Sequence, residues 1–316
     1  MLRKIALAAL AALGAVAFAA PAMADWKPSG PIKMVIAFRA GGGADTQGRM
    51  LAEELQARKG WKIIPENITG KGGSNMANAL KGMPADGLSI GMVVTETFTY
   101  NAVANPKAGY NVSDFTYITT TAPTQMGLVA KADRGWKTME DFVAAAKAKG
   151  SATIATMSPR LEDGAYYVAD HFGFKVNAVS VKGGKGSMNA IVGGDVDAGW
   201  VAGIQTKGVM GGDLVNLASA ESGRLGMSPD AKTLMELGVP FDFGAKFVVV
   251  GPAGMPADAR AGIAKAIAEV INDPNSKTHQ FIASKFGPPL LLSGADLDAL
   301  IASQVEDNKK MLKALQ

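Results

Sequence analysis

The chain has 316 residues, 32 Lys and Arg against 28 Asp and Glu, a formal net charge of +4, two histidines and no cysteine. Its lysines are scattered and no basic stripe is interleaved with aromatics, which argues against a nucleic-acid partner. Without cysteine, neither a disulfide framework nor a lipid-anchored N-terminus can form. The first element is a processing signal: basic Met1-Leu2-Arg3-Lys4, an apolar run from Ile5 to Ala20, then the small-x-small pattern Ala22-Met23-Ala24. The expected mature chain begins near Asp25 and is only mildly basic, because Arg3 and Lys4 leave with the signal. No later stretch is apolar and long enough to cross a bilayer, so a free periplasmic protein is expected.

From Asp25 onward strands and helices alternate, the pattern of an α/β protein with parallel strands. Ile32 to Phe38 is apolar almost without alternation, as in a strand covered on both faces. It runs into Arg39-Ala40-Gly41-Gly42-Gly43-Ala44-Asp45, with Asp45 read as the N-cap of a helix from about Thr46 that stops at Arg58-Lys59-Gly60. A second strand, Trp61 to Glu66, enters Gly70-Lys71-Gly72-Gly73-Ser74 and a short helix near Met76 to Lys81. A third, Leu88 to Val94, ends in Thr95-Glu96-Thr97. Phe115 to Ala122 and Gln125 to Ala130 read as extended segments around Pro123, the first crossing between two lobes.

Thr138-Met139-Glu140-Asp141 has the form of a capping box, opening a helix that ends at Gly150. Strand Ala152 to Thr156, the loop Met157 to Gly164, a helix through Tyr166, Tyr167 and Phe172, and strand Asn177 to Val181 follow. That strand enters a third glycine-rich turn, Lys182-Gly183-Gly184-Lys185-Gly186-Ser187. Strands Val196 to Val201 and Leu214 to Ala218 continue the alternation, and Lys246 to Val250 reads as the return crossing. Three C-terminal helices are expected, the last opened by Ser293 and carrying Leu297, Leu300, Ile301, Val305 and Leu312 at helical spacing.

Catalytic patterns are missing. Gly41 and Gly43 do not complete a dinucleotide fingerprint, because Thr46 stands where a third glycine or alanine is needed. No P-loop ending and no Gly-x-Ser-x-Gly elbow occur, and His171 and His279 each stand alone, outside any metal pattern. Asp195 and Asp197 flank a strand start and read as a solvated turn. What the chain offers is donors. Three glycine-rich helix starts follow strands, at the carboxyl edge where open α/β sheets bind ligands. Thr95 and Thr97 add hydroxyls, and Arg160 and Lys185 add cations. Such a cleft suits a small carboxylate. Glu96 runs against this: it either pairs with Arg160 or accepts a bond from a ligand amine.

The string Ile32 to Asp45, a strand followed by Phe-x-x-Gly-Gly-Gly-x-Asp, resembles the opening of the substrate-binding proteins of tripartite tricarboxylate transporters, the Bug-type receptors. Asn67-x-x-Gly70-x-Gly72-Gly73, Pro84-Ala85-Asp86-Gly87, Val181-Lys182-Gly183, Gly193 to Asp197 and Gly251 to Pro256 resemble that family's later landmarks in order. Departures are Arg39-Ala40 for Ala-Pro, Ile68-Thr69 for Arg-Pro, Met157 to Gly164 for a smaller loop, and Trp200-Val201-Ala202 near an Asp-Ser position.

The resemblance implies a two-lobed α/β periplasmic binding protein of the type II clamshell kind, each lobe a mostly parallel sheet flanked by helices, with two crossover segments. It places the signal at 1–24, one lobe at 25–122 plus 247–316 and the other at 123–246. The expected ligand-binding residues are Gly42, Gly43, Asp45, Gly72, Gly73, Ser74, Thr95, Thr97, Ser158, Arg160, Lys182 and Gly183. No cofactor and no catalysis are expected. A monomer would capture a di- or tricarboxylate and hand it to the large and small permease subunits of a tripartite transporter. The alternatives are presentation to a sensor kinase or a periplasmic enzyme acting on a small acid.

Overall fold

A computed structural model describes residues 26–315, so the processing segment expected over 1–24 lies outside the described residues. In chain order the elements are β1 (Ile32–Ile36), α1 (Gly43–Lys59), β2 (Ile63–Asn67), α2 (Ser74–Leu80) and β3 (Ser89–Val94). A π-helical turn (Thr97–Asn101) then leads into α3 (Ala102–Ala104), followed by β4 (Phe115–Pro123), β5 (Met126–Lys131), α4 (Met139–Lys149) and β6 (Ser151–Thr156). Next come α5 (Pro159–Phe172), β7 (Lys175–Ser180), α6 (Gly183–Gly193), β8 (Ala198–Ala202), α7 (Thr206–Gly211) and β9 (Leu214–Ser219). The chain finishes with β10 (Lys246–Pro252), α8 (Ala257–Ile271), α9 (Lys277–Phe286) and α10 (Gly294–Ala314).

The strands form two five-stranded sheets, ordered β2-β1-β3-β10-β4 and β7-β6-β8-β5-β9. The two are built alike. In each, three strands pair in parallel, the fourth is antiparallel to its neighbours, and the fifth is antiparallel to the fourth. The α/β architecture expected from the alternation is therefore present, as two mixed sheets in each of which two of the four strand pairings are parallel. Each sheet is covered on both faces, which is why β1, β3 and β10 read as continuous apolar runs. Met34, Ile36, Met92 and Val249 face one packed layer of the first sheet, and Val35, Val93 and Val248 face the other. Leu128, Ile154 and Trp200 form the larger core of the second sheet with Phe142 and Phe243.

Local chemistry fixes the helix ends. The Thr138–Asp141 capping box is complete, with Asp141 N–H donating to Thr138 Oγ1 at 3.2 Å and Thr138 N–H donating back to Asp141 at 3.1 Å. Ser158 caps α5 ahead of Pro159, a residue whose missing N–H costs nothing in a first turn. The start of α1 differs from expectation. Its N-cap is Gly42, and Asp45 lies inside the first turn with its carboxylate reaching back to the Gly41 N–H at 2.9 Å.

Two strand pairs carry the chain between the sheets, β4 into β5 and the segment after β9 into β10. They are tied together by buried Glu221, which accepts from Thr124 Oγ1 at 2.9 Å, from Met126 N–H at 2.8 Å and from Lys246 Nζ at 3.4 Å. Burial pushes the Glu221 carboxyl above its ordinary value despite Lys246. A second bridge is apolar. Tyr100 of the π-helical turn and Met311 of α10 are fully buried in the core of the second sheet, although α10 also packs on β4 of the first. Burying such side chains stabilises by about 1.5–3 kcal/mol each, so α10 is a structural strap across both sheets.

Candidate functional site

The carboxyl ends of β1 and β2, and of β6 and β7, open onto one cleft. The loop after β1 folds by a turn in which Gly42 N–H donates to the Arg39 carbonyl at 3.1 Å. Gly43 is packed so closely that an added Cβ would lie 2.7 Å from the Phe286 ring. Asp45 clamps the loop: besides Gly41, it accepts from Arg49 Nε at 2.8 Å and from Asn67 Nδ2 at 2.8 Å, and the same Asn67 amide donates to the Phe38 carbonyl at 2.8 Å. Burial opposes ionisation of Asp45, but the bonds from Asn67, Gly41 and Arg49 together outweigh it and hold the carboxyl below its ordinary value. The loop is thus rigid without proline at position 40.

The loop after β2 is held from below. Gly70, Lys71, Gly72 and Gly73 all have positive φ, and the Gly72 carbonyl accepts from Thr97 Oγ1 at 2.8 Å and Asn101 Nδ2 at 3.1 Å. Facing these loops across the cleft are Met157 and Ser158 at the start of α5 and Lys182 to Lys185 at the start of α6. Helix starts leave first-turn N–H groups without intrahelical acceptors and place positive dipole ends at the same spot.

The cleft has two compartments that share Phe38, Arg39, Met157, Lys182 and Gly183. One, of about 320 Å³, adds Gly41 to Ala44, Glu96 and Lys185, with apolar walls from Val94, Met126, Ile204 and Phe247. The other, of about 500 Å³, adds Gly70 to Gly73, Ser158 and Glu162. Arg39, Lys182 and Lys185 are exposed, and none of them forms an ion pair among the described residues. The arrangement can bind an anion at two opposed helix starts and surround an apolar body between them.

Of the residues expected at the site, Gly42, Gly43, Lys182 and Gly183 line the first compartment, and Gly72, Gly73 and Ser158 the second. The others are committed inside the protein. Asp45 holds the first loop, and buried Ser74 bonds the Tyr110 hydroxyl at 2.9 Å. Thr97 holds the second loop, while Thr95 Oγ1 accepts from Lys246 N–H at 3.2 Å. Arg160 is 8% exposed and lines a separate cavity behind the cleft; its guanidinium donates to Asn308 Oδ1 at 3.0 Å and to the Gly244 and Asp242 carbonyls, over the Phe243 ring. Asp197 is a correction. It is buried rather than solvated, receiving Lys149 Nζ at 2.9 Å and Thr153 N–H at 2.8 Å. His171 and His279 each bond one backbone carbonyl, that of Leu237 or Ile271. Phe38, Met126, Ile204 and Phe247 were not legible as site residues, since apolar residues near strand ends look like core.

Glu96 stands at the end of β3, 5% exposed, where it lines both the smaller compartment and the cavity behind it. Burial raises its carboxyl above the ordinary value, against the opposing influence of the Arg160 charge and the Ser158 hydroxyl. Its Oε2, itself fully buried, has no hydrogen-bond partner among the described residues.

The chain resembles known proteins along nearly its whole length. A protein from Cupriavidus necator, described as the UPF0065 protein in the gbd 5′ region, is 29% identical over 316 residues, covering 98% of this chain and 94% of that one. Among solved structures, MatC from Rhodopseudomonas palustris with bound malate superposes with a TM-score of 0.78 at 20% identity, covering 90% of this chain and 100% of that one. An R. palustris protein with adipate gives 0.80 at 19% identity, covering 91% and 98%. At these identities the structures establish the shared periplasmic binding-protein fold. The model of the tripartite tricarboxylate transporter family receptors matches residues 48–316, and the chain therefore belongs to that family of binding receptors rather than enzymes.

Proposed function

We propose that this protein is a periplasmic receptor that captures a small di- or tricarboxylate and delivers it to the membrane subunits of a tripartite transporter. The observation that carries the reading is the pair of opposed helix starts, α1 and α6, with Arg39, Lys182 and Lys185 free of ion pairs among the described residues around one compartment. One carboxylate docks on the glycine-rich turns after β1 and β2, which are already rigid. The other end meets Lys182 and Lys185 when the two sheets, acting as lobes, close over the ligand. Closure requires a ligand that contacts both sides, because only differential affinity shifts the equilibrium. The apolar walls favour a ligand with some hydrocarbon between its acidic ends. The malate and adipate carried by the two R. palustris structures are both dicarboxylates, which supports this class.

The test is a thermal-shift and calorimetric titration of ligand-free protein with mono-, di- and tricarboxylates. A true ligand at 100 times its dissociation constant should stabilise the fold by about 2.7 kcal/mol. A panel in which no acid binds, while a sugar or a simple amine does, would overturn the reading.

A further inference from the structure

The donors of the cleft account for a carboxylate, but they leave a buried carboxyl at the cleft wall unexplained. Glu96 is an acceptor set among donors, at the carboxyl end of the central strand β3 and close to the first glycine loop. A buried polar atom without a partner costs about 1–3 kcal/mol, and among the eight such side-chain atoms of the described residues Glu96 supplies the one carboxylate oxygen. The neighbours of Glu96 do not fill it. Arg160 directs its guanidinium to Asn308 Oδ1 and the carbonyls of Gly244 and Asp242, and the Tyr100 hydroxyl is given to Asp163. The nearby Ser158 hydroxyl favours the ionised carboxyl, yet Oε2 has no hydrogen-bond partner among the described residues.

We infer that Glu96 is a specificity-determining acceptor, and that it selects a carboxylate carrying a hydroxyl or ammonium donor over the same carbon skeleton without one. The inference rests on the carboxylate-receptor reading above and narrows it. A donor-bearing ligand seated against this wall supplies the Glu96 carboxyl with a bond from the cleft side. A plain dicarboxylate offers the carboxyl no such donor in a site from which closure has removed water. Sites built to hydrogen-bond a ligand group reject the analogue that lacks it more strongly than apolar pockets reject a size change. The three cations Arg39, Lys182 and Lys185 line the same compartment and serve the ligand's own carboxylates, so they do not supply this discrimination.

The experiment compares succinate, malate and aspartate, three four-carbon acids bearing no donor, a hydroxyl and an ammonium. Each is titrated calorimetrically into wild-type protein, Glu96→Gln and Glu96→Leu. In the wild type, malate or aspartate should bind at least about ten-fold more tightly than succinate. In Glu96→Leu that ratio should fall to about one. Glu96→Gln is nearly isosteric and keeps an amide oxygen, so it should retain part of a hydroxyl preference and lose an ammonium preference. It also carries the test should the Leu variant fold poorly. Equal binding of all three acids to the wild type, or a preference that survives in both variants, overturns the inference while leaving the receptor reading intact. If no acid of any skeleton binds, the receptor reading fails first and this one with it.

Discussion

The two sides of the cleft are built from the same parts and finished differently. On the side of the first sheet, side chains lock the ligand-facing loops: Asp45 ties Gly41, Arg49 and Asn67 together, and Thr97 and Asn101 hold the Gly72 carbonyl. On the side of the second sheet, α6 starts at Lys182 with no side-chain cap, and its lysines are exposed. One wall is preorganised, so ligand binding there costs little ordering entropy. The other wall keeps long, exposed cationic side chains that form no ion pair among the described residues. That division suits a receptor that, on the proposed reading, recognises its ligand on a fixed surface and completes the site with exposed charges from the other side.

Breaking the fixed wall should have the largest effect. Asp45→Ala removes the common acceptor of three donors and should lower stability by about 2–3 kcal/mol, read by urea unfolding, with affinity falling as the first loop loosens. The pH dependence follows from the sign of the shift. Hydrogen bonding holds the folded Asp45 carboxyl below its unfolded value, so its stabilisation is fully present above the ordinary carboxylate range and is lost as pH falls through the lower, folded value. The stability gap between wild type and Asp45→Asn should therefore be widest near neutrality and narrow below about pH 4. A gap independent of pH would mean that the Asp45 charge does not hold the loop.

A smaller but sharper effect is expected at Gly73. Its φ is +94°, and an added Cβ would sit 2.5 Å from Thr97 Oγ1, the donor that fixes the second loop. Gly73→Ala should cost about 1–3 kcal/mol in stability and weaken ligand binding, because the Thr97 bond to Gly72 must stretch or break. The same change at Gly183, also at positive φ but with open space around its Cβ, should cost less. Equal losses at the two positions would contradict the contrast between a packed wall and an open one.

What could be read from the sequence was local. Continuous apolar strands, the Thr138–Asp141 box and the order of the glycine-rich turns depend on neighbours a few residues away, and the structure reproduces them. Roles set by distant partners were hidden. Arg160 looked like a cation at a loop, but its partner Asn308 lies 148 positions on, and together they join α5 to the C-terminal strap. Asp197 looked like a solvated turn until Lys149, 48 positions earlier, closed over it. Asp45 reads from the sequence as a cap or a ligand contact, yet the partner that gives it its loop-holding role, Asn67, is 22 residues away. The glycine turns were legible because backbone geometry writes itself into sequence. The side chains that hold those turns were not, because only the fold decides which hydroxyl or carboxylate meets them.

The exposed wall is tested by the smallest structural perturbation. Lys182→Ala with Lys185→Ala removes two exposed charges that form no ion pair among the described residues, so stability should change by less than about 0.5 kcal/mol. Affinity for a dicarboxylate should nevertheless fall about ten-fold at low salt, while a matched monocarboxylate, held by the glycine turns alone, should lose much less. Charges this exposed are screened over about 10 Å at 0.1 M salt, so the wild-type advantage should shrink as salt rises and the double variant should be nearly insensitive to it. The pattern separates recruitment from preorganisation: a variant of the fixed wall loses both ligands together, and a variant of the exposed wall loses mainly the one with a second charge. Equal losses for the two acids in the lysine variant would instead place the second carboxylate against Arg39, on the first sheet's own side of the cleft.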